Sequence, residues 1–290
     1  MSSAGPAVLM HPAATGTTPW ASGPSRFHWT LRIGAAACFI GHGALGLNQT
    51  SAWTAYFGVV GIGPPHALAL MPWVGAFDGA LALSVLFFPS RAVVLYMIVW
   101  TVWTALLRPL AGEPAWEAVE RAGNYGVPLA LFLCLRGGGL RAWVGGIFRT
   151  RLEEPRRQTV AWVLRLTTVL LLVGHGMLQL TVRKPMFAAQ YAFLGLPGGA
   201  CEPGFGACEL ALAAAVLLRP ARGLLLGVLG WKLATEALCP VTGAPIWVFV
   251  EHGGSYAAPL ALFFLLPAAS PVRRGILSPP QTQPPAPVPE

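Results

Sequence analysis

The stretch PLAGEPAWEAVERAGNYGVPLALF, residues 109–132, returns as PVTGAPIWVFVEHGGSYAAPLALF at residues 240–263, with 13 of 24 positions identical. The identities include Pro114/Pro245, Trp116/Trp247, Glu120/Glu251, Gly123/Gly254, Tyr125/Tyr256 and Pro128/Pro259, all at an offset of 131. Apolar composition alone would not align Glu, Tyr, Pro and Trp in one order, so the chain reads as a tandem repeat. Working outward, Asp78 meets Glu209, Pro89 meets Pro220 and Trp100 meets Trp231 at the same offset. Nearer the start of each copy the offset is 133. There Trp29-Thr-Leu-Arg32 meets Trp162-Val-Leu-Arg165, and Gly41-His42-Gly43 meets Gly174-His175-Gly176.

The medium in which the repeat folds follows from composition. Hydrophobic residues make up 55% of the chain and charged residues 10%, where a soluble domain carries about 25% charged. The apolar residues run in blocks rather than amphipathic stripes, which marks membrane spans. The blocks predict spans over 29–48, 66–88, 91–108, 116–136, 160–180, 205–218, 221–238 and 247–267. The expected fold is an all-α membrane protein of about eight transmembrane helices, arranged as two four-helix bundles in a parallel repeat. An even number of spans per copy gives both copies one orientation, with the pseudo-axis along the membrane normal.

The first unit covers 26–136 and the second 160–267, joined by a basic linker at 137–159. Residues 1–25 and the Pro-rich residues 268–290 read as solvated tails. Residues 1–25 lack a basic stretch followed by an apolar core, so the block from Trp29 is expected to be a retained helix.

The formal charge of +8 does not point to nucleic acid, because the basic residues sit in short loops between apolar blocks. One side collects most of them, among them Arg91, Arg141, Arg156, Arg157, Arg219 and Arg222. The other holds Arg108, Arg121, Arg183 and Lys184. This bias predicts a multi-pass protein of the inner (cytoplasmic) membrane with both termini cytoplasmic. Arg32 and Arg165, just inside spans on the basic side, are expected to snorkel to the interface. Leu140 to Thr150 is expected to lie along that interface. None of the five cysteines forms a CxxC pair, and a disulfide among Cys201, Cys208 and Cys239 stays open beside free thiols.

Leu164-Arg165, Gly174-His175-Gly176, Leu194-Gly-Leu-Pro197 and then Glu209 form a series that resembles the DoxX-like family of four-helix membrane proteins. The first unit is a more divergent copy with Asp78 as its acid. The resemblance covers most of residues 29–266. Gly46 and Gln179 stand in the region where that family often has a Lys. It implies a membrane subunit, in some members of a quinone-linked oxidoreductase.

A charged residue inside a span costs at least about 2.5 kcal/mol on insertion scales, so each should have a partner or a role. The first unit has His42, Asp78 and Glu120. The second has His175, Glu209 and Glu251, with Lys232 and Glu236 added. Lys232 and Glu236 share a helix face at i and i+4 and predict an internal ion pair. A rise of 1.5 Å per residue puts His42 about 20 Å beyond Trp29, in the outer half. A polar cavity opening outwards is therefore expected in each unit. Pro128 and Pro259 each remove a backbone donor and bend their helices beside Tyr125 and Tyr256. Carbonyls freed there could bind a cation or a hydroxylated ligand.

Each histidine is expected to bond its local acid, with haem or metal ligation as the alternative. No Walker, HExxH, GxSxG or Rossmann signature is present. The expected function is non-enzymatic: a membrane protein holding a small lipophilic or ionic ligand, or a membrane subunit among other membrane or redox subunits. A quinone-linked oxidoreductase subunit and a proton-coupled transporter are the alternatives.

Overall fold

A computed structural model describes residues 26–135, 139–146, 152–182 and 184–267. Both expected tails lie outside the described residues, as do parts of the expected linker. The elements are helical throughout: α1 (Arg26–Leu47), α2 (Thr54–Gly58), α3 (Pro64–Phe87), α4 (Arg91–Leu110), α5 (Trp116–Glu120), α6 (Ala122–Cys134), α7 (Leu140–Val144), α8 (Glu154–Thr181), α9 (Pro185–Phe193), α10 (Gly198–Leu218), α11 (Arg222–Val241), α12 (Ile246–Glu251) and α13 (Gly253–Leu265).

Local sequence accounts for many of the ends. Pro opens α3, α8 and α9, where its missing N–H is not needed. The Ser90 hydroxyl caps α4 by accepting from the Val93 amide at 3.3 Å. Gly112 and Gly243 turn the chain after α4 and α11 with φ of 94° and 101°, which other residues rarely adopt.

Among the described residues, seven helices are long and apolar enough to cross a membrane, counting Ile246–Leu265 as one. The corresponding first-unit segment falls short because α5 carries Glu117 and Glu120 and is followed by Arg121, where the second unit has Val248, Glu251 and His252. Only the 13-residue α6 remains apolar there. The sixth expected span is longer than its prediction, running from Gly198, because Pro203 and its neighbouring glycines are absorbed into the first turns of α10. Beside an apolar core, several charged side chains are buried and large apolar ones are exposed. Lys232, Glu209 and Glu236 are buried, while Trp73, Phe88 and Leu218 face outwards.

The units do not form separate bundles. α1 packs on α3 and also on α12 and α13; α8 packs on α10 and also on α5 and α6. Small residues allow this close approach, the usual device where lipid tails compete with side chains. A Cβ on Gly43 would come 2.7 Å from the Gly75 carbonyl oxygen, and one on Gly176 would come 2.8 Å from that of Gly206. A Cβ on Gly41 would strike the Glu251 backbone, and one on Gly174 would strike that of Glu120. Gly123 and Gly254 touch where α6 meets α13. The first helix of each unit thus lies against the last helix of the other.

Arg32 and Arg165 reach the C-terminal ends of α3 and α10, Arg32 buried and Arg165 half-buried. Arg32 is buried and its Nε donates to the Val85 carbonyl at 3.0 Å. Arg165 Nε donates to the Val216 carbonyl at 3.0 Å, and a second nitrogen reaches Leu217. Each guanidinium also stacks on the Trp three residues earlier, at 4.1 Å on Trp29 and 4.5 Å on Trp162. The carbonyls in the last turns of α3 and α10 have no helical donors of their own, and these arginines supply them.

Candidate functional site

The polar residues picked from sequence gather at the level where α5 turns into α6 and α12 into α13. Glu209 on α10 accepts from His175 Nδ1 at 3.1 Å, Gln179 Nε2 at 3.2 Å and Trp231 Nε1 at 3.0 Å. Lys232 lies 3.7 Å from Glu209 and 2.7 Å from Glu236, the expected ion pair. His175 Nε2 faces Glu236 at 3.5 Å, and His252 Nδ1 faces its other oxygen at 3.7 Å.

From there the chain of charges crosses into the first unit. His252 Nε2 lies 3.2 Å from Glu120, Arg121 lies 3.9 Å from Glu120, and Arg121 Nη1 reaches Glu251 at 3.4 Å. The expectation of one self-contained set per unit is therefore corrected. Glu120 joins the second unit's histidines, and Glu251 sits beside α1 near His42, because Gly174 and Gly41 admit the opposite unit's backbone.

Tyr125 and Tyr256 are not part of this set. Their hydroxyls donate to the carbonyls of Ala118 at 3.3 Å and Phe249 at 3.0 Å, tying each half-helix to the next across the break. The breaks fall at Arg121 and His252, well before the prolines. Arg121 was read from the sequence only as an outer-side cation and His252 was not picked out, although each directly follows the repeated Glu.

Four carboxylates (Glu120, Glu209, Glu236 and Glu251) face Lys232 and Arg121, and protons on His175 and His252 would make the set neutral. Ligand atoms of Glu120, Glu236 and His252 lie within 4.8 Å of one another, close enough to share a metal ion. The Lys232 ammonium already supplies a cation at Glu236.

The first unit differs. His42 Nδ1 is 3.6 Å from Asp78 Oδ2, beyond hydrogen-bond length. Both oxygens of the buried Asp78 lack a hydrogen-bond partner, as does the Trp100 Nε1. Trp100 is the counterpart of Trp231, and Asp78 of Glu209. The shorter Asp arm leaves both groups unpaired, and Gly46 cannot supply the amide that Gln179 gives.

A cavity of about 170 Å³ is walled by His42, Trp53, Tyr56, Phe57, Val74, Trp100, Trp103, Arg108 and Arg121, while Asp78 lies behind His42, outside its lining. In the second unit Phe205 stands at the position of Val74 and stacks on Tyr191 at 4.3 Å and against Trp231 at 5.6 Å. The Tyr191 hydroxyl also bonds Gln179. That side is filled where the first is open.

The cavity's cations are balanced. Arg108 reaches Glu113 at 3.0 Å and Glu117 at 3.4 Å, and Lys184 pairs with Glu117. The Tyr56 hydroxyl, on the short α2 outside the spans, donates to Glu113. Burial, opposed by the nearby Arg108 cation, pushes that hydroxyl up to about 12, so it stays a donor at neutral pH.

All five cysteines are free thiols. Cys239, the counterpart of Arg108, accepts from Gln190 at 3.1 Å. No protein-family model matches the chain, and no curated protein and no solved structure matches it.

Proposed function

We propose that this chain is a multi-pass protein of the cytoplasmic membrane, built from two repeated four-helix units with an axis along the membrane normal, that binds a small lipophilic molecule in the first-unit cavity. Both termini lie in the cytoplasm on this reading, as the Lys and Arg bias requires, and the cavity faces the outer side. Resemblance to the DoxX-like family enters on its motifs alone: Arg165, Gly174-His175-Gly176, Leu194-Gly-Leu-Pro197 and Glu209.

The observation that carries the reading is an aromatic-walled cavity of about 170 Å³, lined among others by Trp53, Tyr56, Phe57, Trp100 and Trp103. Concave pockets walled mostly by apolar and aromatic side chains are the usual place of a small-molecule ligand. Val60 and Trp103 at its edge are exposed, which gives an apolar molecule a way in.

The test is extraction of protein purified in mild detergent, followed by mass spectrometry. Wild type should carry an enriched small molecule. Val74→Phe, which installs the second unit's side chain, should lower its occupancy about tenfold or more, as overpacking by 1–3 kcal/mol implies. Equal recovery from both proteins, or none from either, counts against the cavity.

A proton-coupled transporter is the second reading. It is favoured by the run of carboxylates and imidazoles from Glu209 through Glu236 and His252 to Glu120, with gaps of 3.1–3.7 Å. Flux driven by a proton gradient in proteoliposomes should vanish in Asp78→Asn/Glu209→Asn. Undiminished flux in that variant would remove these acids as carriers.

A further inference from the structure

We propose that Glu120, Glu236 and His252 bind a divalent transition-metal ion of the zinc type, and that this ion pins the first unit to the second. The site is separate from the cavity and its ligand. Glu120 ends α5 of the first unit, Glu236 lies on α11, and His252 stands at the break between α12 and α13. Their relative exposures are 6%, 2% and 7%. One ligand atom from each lies within 4.8 Å of the other two.

The His252 ring fixes where the ion belongs. Its Nδ1 lies 2.7 Å from the Val248 carbonyl oxygen. A carbonyl only accepts, so Nδ1 carries a proton. A neutral imidazole then turns a bare lone pair at Nε2 towards Glu120 Oε1, 3.2 Å away. Two lone pairs facing each other in a buried place need a positive charge between them. A backbone carbonyl on the far nitrogen is also the usual way a metal-bound histidine is oriented. With zinc bonds of about 2.0–2.2 Å to nitrogen and oxygen, neighbouring ligand atoms stand about 2.8–3.5 Å apart, and the Glu120–His252 separation falls inside that range. Glu236 divides its oxygens. Oε1 is 2.7 Å from Lys232. Oε2 faces His252 at 3.7 Å, beyond hydrogen-bond length, and completes the set.

Charge sets the valence. Glu120, Glu209 and Glu236 carry three negative charges and Lys232 returns one. With neutral histidines two negative charges remain, a cost in a buried site that one divalent ion removes. The repeat meets the same demand another way. Glu251 is the counterpart of Glu120, Arg121 of His252 and Ala105 of Glu236. There the Arg121 guanidinium sets a permanent cation 3.4 Å from Glu251. The second unit has an imidazole and an added carboxylate instead, which are metal ligands. A nitrogen among the ligands favours a transition metal over magnesium or calcium, which prefer oxygen alone.

The test uses the untagged full chain in mild detergent, stripped with a chelator and titrated with Zn²⁺ in competition with a fluorescent chelator. Wild type should take up one ion per chain and unfold at a higher temperature with zinc than without, as binding to the native state requires. Mg²⁺ should bind at least about tenfold more weakly. His252→Arg installs the first unit's own cation. It should fold, yet bind zinc more weakly by over about 100-fold, the upper cost of changes behind a metal ligand. Glu236→Gln should weaken binding as well, whereas His66→Ala, which alters an exposed histidine on α3, should not. X-ray absorption of the loaded protein should show nitrogen and oxygen ligands and no sulfur. Sulfur ligands would place the ion on the free cysteines and overturn the site. So would a wild type that takes up no zinc, or uptake undiminished in His252→Arg or in Glu236→Gln; a proton on His252 would then supply the charge facing Glu120.

Discussion

Lys232→Ala destabilises the protein by about 3–5 kcal/mol, the cost of leaving buried charges without their partner. The ammonium sits 2.7 Å from Glu236 and 3.7 Å from Glu209, both fully enclosed. Removing it alone leaves two carboxylates facing each other in a medium that cannot solvate them. Lys232→Thr/Glu236→Ala should cost less than half as much, even though it deletes two side chains. The first unit already uses that combination, with Thr101 and Ala105 at the same positions. Glu209 keeps His175, Gln179 and Trp231 as donors in the double variant. Thermal unfolding of wild type, single and double variants in one detergent decides the matter. A double variant as unstable as the sum of its parts would mean that Lys232 is stabilised by something other than these acids.

The second large effect falls on a residue with no side chain. Gly174→Ala should cost more than the 1–3 kcal/mol typical of overpacking, because the new Cβ would lie 2.5 Å from the Glu120 Cα and closer still to its amide nitrogen. Neither backbone can retreat without opening the α8–α5 contact and moving Glu120 away from His252. Gly41→Ala should behave alike against Glu251. The control is Gly227→Ala on the outward face of α11, where a Cβ meets nothing within 4 Å. There the change should be neutral or slightly stabilising, since Ala is the better helix former. The measurement is the monodisperse fraction that survives graded heating. If Gly174→Ala survives as well as Gly227→Ala, the two halves do not approach as closely as this packing requires.

The all-helical class, the position of most of the long apolar helices and the recurring Glu, Tyr, Pro and Trp were legible in the sequence. Each depends on local composition or on spacing along one chain, and hydropathy reports both directly. The pairs His175–Glu209 and Lys232–Glu236 were legible too, because each joins neighbours within one unit. The partners of Glu120 and Glu251 were not. Each segment resembles its counterpart closely, so nothing in the sequence says which unit's first helix it packs against. That choice rests on where two backbones can meet, at Gly41, Gly174, Gly123 and Gly254. It sends Glu120 to His252 and Glu251 to Arg121.

Arg32 and Arg165 show the same division. Hydropathy places them near a membrane surface, and only the packed ends of α3 and α10 provide the carbonyls that they bond. The open cavity is also a tertiary result. Val74 against Phe205 and Asp78 against Glu209 are modest differences in a sequence alignment. The first becomes an open space only once the surrounding helices are packed, because close packing leaves the room of a missing ring unfilled.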